Sequence, residues 1–169
     1  MTWPRDTPDA LRAFYGEIEL GASGLPTAAW EQRTLVSIVP PYQMVLAWNT
    51  AQPVRSIRCH RLVADSLLRA LSAIAAAFPT SGARRGAGVD LLGGVYNYRP
   101  VSGAARLSVH GYGAAIDLDP VRNPRLRAWN PATGIPRAAI DAFKAEGWTW
   151  GGDWIRQPDA MHFEATAGR

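Results

Sequence analysis

"LSVHGYGAAIDLDP", residues Leu107–Pro120, sets a histidine among glycines seven residues ahead of an aspartate inside an apolar run. The second half alternates: Ala115, Asp117 and Asp119 share one parity, Ile116 and Leu118 the other, which is the period of a β-strand. Asp117 thus belongs to a strand whose opposite face is apolar, and an unpaired carboxylate is costly there. His110, ahead of glycines that let the chain turn tightly, supplies half of the environment it needs. The other half lies near the C-terminus. "PDAMHFE", Pro158–Glu164, puts His162 and Glu164 on one face of a short strand and Met161 and Phe163 on the core side.

Outward from these two segments the chain reads as a mixture of helices and strands. "LLGGVYNYRP", Leu91–Pro100, is a glycine-prefaced strand with Val95, Asn97 and Arg99 on one face and Tyr96 and Tyr98 on the other. "PRAAIDAFKAEGW", Pro136–Trp148, is a short helix closed by Gly147. The clearest helix runs from about Arg58 to Phe78, because Val63, Leu67, Leu71, Ile74 and Phe78 recur at spacings of three and four. Extended backwards, the stripe takes in His60, read as a packing residue with a supporting role at the site left open. "PTSGARRGAGVD", Pro79–Asp90, is a loop by composition. "TLVSIVPPYQMVLAW", Thr34–Trp48, makes one or two extended segments, and "TPDALRAFYG", Thr7–Gly16, a helix with Thr7 as N-cap and Pro8 at its first position. The expectation is one α+β domain over residues 1–169, with a small, mainly antiparallel sheet flanked by helices. Residues 1–90 form a mainly helical N-terminal part, and 91–165 the sheet that carries the site.

Composition excludes several classes. With 47% hydrophobic and 19% charged residues the chain is globular rather than disordered. Its one cysteine, Cys59, rules out an internal disulfide and a multi-cysteine zinc site, and a buried small hydrophobe is the better reading than a nucleophile beside His60. The opening "MTWPRDTPDALRAFYG" has no apolar core of a signal peptide, so synthesis in the cytoplasm is expected. "ALSAIAAAF", Ala70–Phe78, is too short to span a bilayer. The net charge of +4 suits an anionic partner, including the polymers of a cell wall. Arg84–Arg85 and Arg122, Arg125, Arg127 are weak clusters without a nucleic-acid-binding motif beside them, so no specific nucleic acid is expected.

Two histidines and a carboxylate at the edges of apolar strands match a catalytic zinc site, in which three protein ligands leave a fourth position for water. A nearby general base would complete hydrolytic machinery. Asp159 and Glu164 are both candidates, and periodicity does not choose between them. Spacing alone leaves packing roles for the histidines open. Asp119, Pro120 and Asn123 lack the glycine and terminal glutamate of a calcium loop and read as a turn. In "GWTWGGDW", Gly147–Trp154, Asp153 and Trp150 belong either to a cleft wall that binds peptide or to a capped turn beside buried indoles.

"SVHGYGAAID" fits the pattern Ser-x-His-x-x-Gly-x-Ala-x-Asp, and "GWTWGGDW" leads into "DAMHFE". Together, over roughly Gly93–Glu164, these resemble the M15 zinc peptidases: D-alanyl-D-alanine carboxypeptidases and dipeptidases, and the L-alanyl-D-glutamate endopeptidases among phage lysins. The resemblance implies a hedgehog/DD-peptidase-like fold with one zinc ion on His110, Asp117 and His162. It makes Asp159, three before the last histidine, the base. Many members have glutamate there, and the branch with "GGDW" often has aspartate. Arg99 falls where the family has an arginine that steadies a substrate carbonyl or carboxylate. Ser108 and Glu164 would touch substrate or support a ligand. The implied substrate is the peptidoglycan stem peptide, and the protein is expected to be a monomer. Two bonds compete. The absence of a signal peptide favours an endolysin-type L-Ala–D-Glu endopeptidase, released with a holin or carried in a virion if phage-encoded. A D-Ala-D-Ala carboxypeptidase is the alternative. A third reading, from another class, is a non-catalytic zinc-holding module, as in hedgehog signalling domains.

Overall fold

The computed structural model describes residues 2–99 and 106–168. Helix α1, Pro8–Tyr15, starts as its sequence dictates: the Thr7 side chain accepts from the Ala10 N–H, Pro8 sits in the first turn, and Leu11 and Tyr15 turn inward. Helix α2, Ala28–Thr34, leads directly into strand β1, Leu35–Ile38. Strands β2, Met44–Leu46, β3, Asn49–Val54, and β4, Ile57–His60, follow. Helix α3, Ala64–Ala77, buries Leu67, Leu71 and Ile74. Helix α4, Ser81–Ala87, and strand β5, Leu91–Gly94, precede the central strand β6, Ala115–Leu118. Helix α5, Arg137–Ala145, and strands β7, Thr149–Trp150, and β8, His162–Glu164, complete the helices and strands of the described residues.

Six strands form one sheet in the order β3-β2-β5-β6-β8-β7, and β1 pairs with β4 separately. Only β2 and β5 run parallel within the larger sheet, so it is mainly antiparallel, as expected of an α+β domain. The residues expected to be mainly helical also hold β1 to β4, and two of these strands extend the sheet of the site. Helices α3 and α5 pack together, and the Trp148 indole donates to Ser66 Oγ at 2.8 Å across them. On the inner face Phe143 of α5 stacks on Phe163 of β8 with ring centroids 4.3 Å apart, so the strand that carries His162 is anchored by its alternate residue.

Three local expectations give way. Arg58 and His60 lie in β4, not in the long helix. Ile57 and Cys59 are buried while Arg58 is exposed, a period of two that the helical stripe concealed. Residues 81–87 are helical rather than a loop: Thr80 accepts from the Ala83 N–H, and Gly88 ends the turn at φ 72. The strand beginning at Leu91 ends at Gly94, and 95–99 continue without regular pairing. Pro100 lies outside the described residues. Gly93 has its own steric reason, since a Cβ there would stand 2.9 Å from the Cβ of Asp117.

Candidate metal centre

His110 and Asp117 come from one short stretch. Ser108 opens a single 3-10 turn over Val109–Tyr112, its Oγ accepting from the His110 N–H at 3.3 Å. The chain then enters β6, where Asp117 pairs with His162 of β8 in antiparallel register. Sheet register therefore brings together residues 45 apart in sequence, and the turn swings His110 onto them. His110 Nε2, Asp117 Oδ1 and His162 Nδ1 form a triangle with sides of 3.2, 3.0 and 3.1 Å. A tetrahedral ion with ligands about 2.0–2.2 Å away separates ligand atoms by roughly 3.3–3.5 Å, close to this triangle. His110 and His162 are buried and Asp117 is largely so, and among the described residues they form the one group of three or more residues that could hold a metal ion.

Each histidine is held by its other nitrogen. His110 Nδ1 lies 2.7 Å from the Val95 carbonyl oxygen and can only donate to it. His162 Nε2 lies 3.0 Å from Glu164 Oε2, whose partner oxygen accepts from Thr166 Oγ1 at 2.8 Å. With those nitrogens engaged, His110 Nε2 and His162 Nδ1 are left facing Asp117 and available to a metal ion, the arrangement expected of metal-binding imidazoles. Electrostatics agree. Burial acts to raise the Asp117 carboxyl, yet His110 and His162 hold it well below the usual carboxylate range. Burial acts to lower the His162 imidazole, but hydrogen bonds to Asp117 and Glu164 outweigh it and raise it. A buried cluster of this kind favours a positive charge at its centre, and the donor set of two imidazoles and a carboxylate fits a divalent ion.

The triangle opens on a cleft of about 240 Å³. Asp159, 8% exposed, lines it with its Oδ1 buried and unpartnered, and its Oδ2 lies 3.8 Å from Arg125 Nε. Burial pushes the Asp159 carboxyl up to about 6, with the neighbouring Asp117 adding to the rise and His162 opposing it. Of the two candidate bases, Glu164 is committed to His162 and Thr166, whereas Asp159 presents a carboxylate oxygen to the cleft. Arg99, Ser108 and Glu164 also line it.

Trp150 and Asp153 stand elsewhere. Trp150 is buried, its indole donating to the Ala160 carbonyl at 2.9 Å and its ring edge-on to Trp129. Asp153 is half exposed and pairs with Lys144 at 2.6 Å. The aromatic wall of the cleft is Trp154, whose ring lies 5.4 Å from that of His162. Met161, expected on the core side, lines the cleft as well. Sequence reading missed two further lining residues, Arg106 and Arg125. Arg106 meets the buried carboxylate of Asp6 through two hydrogen bonds of 2.6 and 3.0 Å, a partner 100 positions away that no local pattern announces.

Residues 102–165 match the family model described as D-alanyl-D-alanine carboxypeptidase. The matched segment contains His110, Asp117, His162 and Asp159. Over that segment the chain is similar to the M15 peptidases, and the His110–Asp117–His162 cluster could hold a metal ion. No solved structure matches the chain.

Proposed function

We propose that the chain is a zinc-dependent peptidoglycan peptidase hydrolysing an amide bond of the stem peptide, with L-Ala–D-Glu endopeptidase as the first reading. One observation carries it: an unpartnered, buried Asp159 oxygen shares a cleft with the His110–Asp117–His162 triangle. A module that only held zinc would have no use for such a carboxylate. Zinc, when bound by those three residues, supplies Lewis-acid polarisation of the substrate carbonyl and makes water a nucleophile near neutral pH.

The chain's own groups do the rest. Asp159 accepts a proton from the attacking water and hands it to the nitrogen of the leaving amine, a shuttle suited to a carboxyl raised by burial to about 6. Arg99, exposed at the cleft, steadies the charge that develops on the carbonyl oxygen. Ser108 fixes the turn that carries His110, and Glu164 orients His162. Trp154 offers a flat apolar surface to peptide.

The endopeptidase reading is supported by space beyond the reacting centre. Arg106 lines both this cleft and an adjoining groove of about 440 Å³ with Leu11, Tyr98 and Tyr112 on its walls, which leaves room for a chain that continues past the scissile bond. The description of the matched family favours the second reading, a D-Ala-D-Ala carboxypeptidase. In either case the site of action is the cell wall, reached with a holin or a virion if the protein is phage-encoded.

Purified sacculi incubated with the protein, with zinc or with chelator, test this by mass spectrometry of the soluble fragments. A peptide beginning at D-Glu, released only with metal, establishes the endopeptidase, and lone D-Ala the carboxypeptidase. No fragments from folded, zinc-loaded protein would leave the non-catalytic module.

A further inference from the structure

Three arginines line the cleft, and they are not equivalent. Arg106 is spent on the buried Asp6 carboxylate. Arg99 stands beside the turn of His110, its carbonyl accepting from the Ser108 N–H at 3.1 Å. Arg125 stands next to Asp159. Its Nη2 donates to Gln157 Oε1 at 3.1 Å, and its Nε lies 3.8 Å from Asp159 Oδ2, beyond hydrogen-bonding distance. The guanidinium thus retains donors for an oxygen pair delivered by a ligand.

The backbone is built to hold Arg125 there. Asp119 and Asn123 are buried; Asn123 Nδ2 donates to the Asp119 carbonyl, and its Oδ1 accepts from the Ile135 N–H, both at 2.9 Å. Leu126 adopts φ 68, a left-handed conformation that a branched residue avoids, while its side chain remains 61% exposed. Packing of Leu126 therefore does not account for the strain. Leu126 is the third residue of a turn closed by the Arg127 N–H to the Pro124 carbonyl at 3.3 Å, and its own N–H donates to the Pro158 carbonyl at 2.7 Å, which straps Arg125 to the residue preceding Asp159.

We propose that Arg125 is a specificity-determining residue that binds the free α-carboxylate of the amino acid whose amine leaves. The inference rests on the peptidase reading, in which Asp159 delivers a proton to that amine and therefore lies beside the leaving residue. Both candidate bonds present the group required. A terminal D-Ala carries a free α-carboxylate, and so does a D-Glu joined onward through its side-chain carboxyl. Planar, two-pronged donation by guanidinium matches a carboxylate and matches a carboxamide poorly, because the amide replaces one acceptor with a donor. The enzyme accordingly distinguishes stem peptides by whether this carboxyl is free or amidated.

The test uses two matched pairs: L-Ala-D-Glu joined through its γ-carboxyl to L-Lys, and L-Lys-D-Ala-D-Ala, each with a free α-carboxylate or an α-carboxamide on the leaving residue. For the pair that zinc-loaded protein cleaves, kcat/KM favours the free acid by about 10–100-fold, mostly through KM, as loss of a charge-assisted pair implies. Arg125→Gln brings that ratio close to 1, and Arg125→Lys recovers part of it. Equal losses on both members of the pair, or an unchanged ratio, would overturn the proposal. Calorimetric binding of the product amines γ-D-Glu-L-Lys and D-Ala, against their α-carboxamides, decides it without turnover. Carboxylate-selective binding lost in Arg125→Gln supports the proposal even if no peptide is cleaved, in which case the peptidase reading alone fails. Absence of selectivity in the wild-type protein refutes it. Zinc content and circular dichroism equal to wild type establish that each variant is folded.

Discussion

His162 and Glu164 sit two positions apart on β8 and share one face of it, with Nε2 of the histidine 3.0 Å from Oε2 of the glutamate. The proposed ligand and its hydrogen-bonding support are thus delivered by the same three-residue strand. Replacing Glu164 by alanine leaves His162 free to rotate and to change tautomer. Zinc affinity is expected to fall about 10–100-fold, as for other losses of a histidine's hydrogen-bonding partner. Competition against a chromophoric chelator measures it, and an affinity equal to wild type would refute the orienting role.

Asp159 differs from Glu164 in what its loss should do. Asp159→Asn is expected to keep zinc stoichiometry and lower kcat by about 10²–10⁴-fold, the range associated with a positioned acid or base. The carboxyl must be ionised to accept a proton, so activity falls as pH drops through its pKa. Burial places that value at about 6 before a metal acts on it, and a bound dication pulls it down. The acid limb of kcat/KM therefore lies at or below pH 6 in wild type. A variant retaining the same limb would show that another group titrates there.

What the sequence disclosed follows from distance along the chain. His110 and Asp117 lie in one stretch of turn and strand, and His162 shares the alternation of its neighbours, so local period marked them as candidates, while the resemblance to the zinc peptidases implied their role as ligands. The helix from Ala64 was legible from its apolar stripe, but its start was not: His60 lies three before Val63 and continued the stripe by coincidence, while two buried residues in "IRCH" are a faint strand signal. Helix α4 was obscured by its glycines although Thr80 and Gly88 frame it. Trp150 and Trp154 cannot be told apart by composition, and only the packing of Trp150 on Trp129 and Phe163 assigns one to the core. Arg106 and Arg125 depend on long-range placement, which residue pattern does not encode.

Metal removal should register in stability as well as in activity. The triangle links β6, β8 and the turn of His110, and a ligand that binds only the folded state at a thousandfold excess over Kd contributes about 4 kcal/mol. For a domain of this size each kcal/mol moves Tm by roughly 2–4 °C. Chelation is expected to lower Tm by about 8–16 °C, reversibly on adding zinc. Scanning fluorimetry measures it. An unchanged Tm in protein shown to have lost its metal would mean that the site is held without the ion.

His60 contributes to the pH dependence of the fold away from the metal site. It is 2% exposed, its Nε2 lies 3.0 Å from the Tyr15 carbonyl, and its Nδ1 accepts from the Leu62 N–H at 3.1 Å. The neutral imidazole with its proton on Nε2 satisfies both bonds, and a proton on Nδ1 would face a donor. Burial lowers its pKa to about 4, against 6.5 for the exposed group. Between these values the unfolded chain binds the proton and the folded one does not, so stability falls as pH drops from about 6.5 towards 4. The full loss is roughly 3 kcal/mol at about 1.4 kcal/mol per unit. His60→Asn retains an acceptor for Leu62 and cannot titrate. Urea unfolding between pH 4 and 7 is expected to show a pH slope for wild type that is shallower by this amount in the variant. The same slope in both proteins would place the titrating group elsewhere.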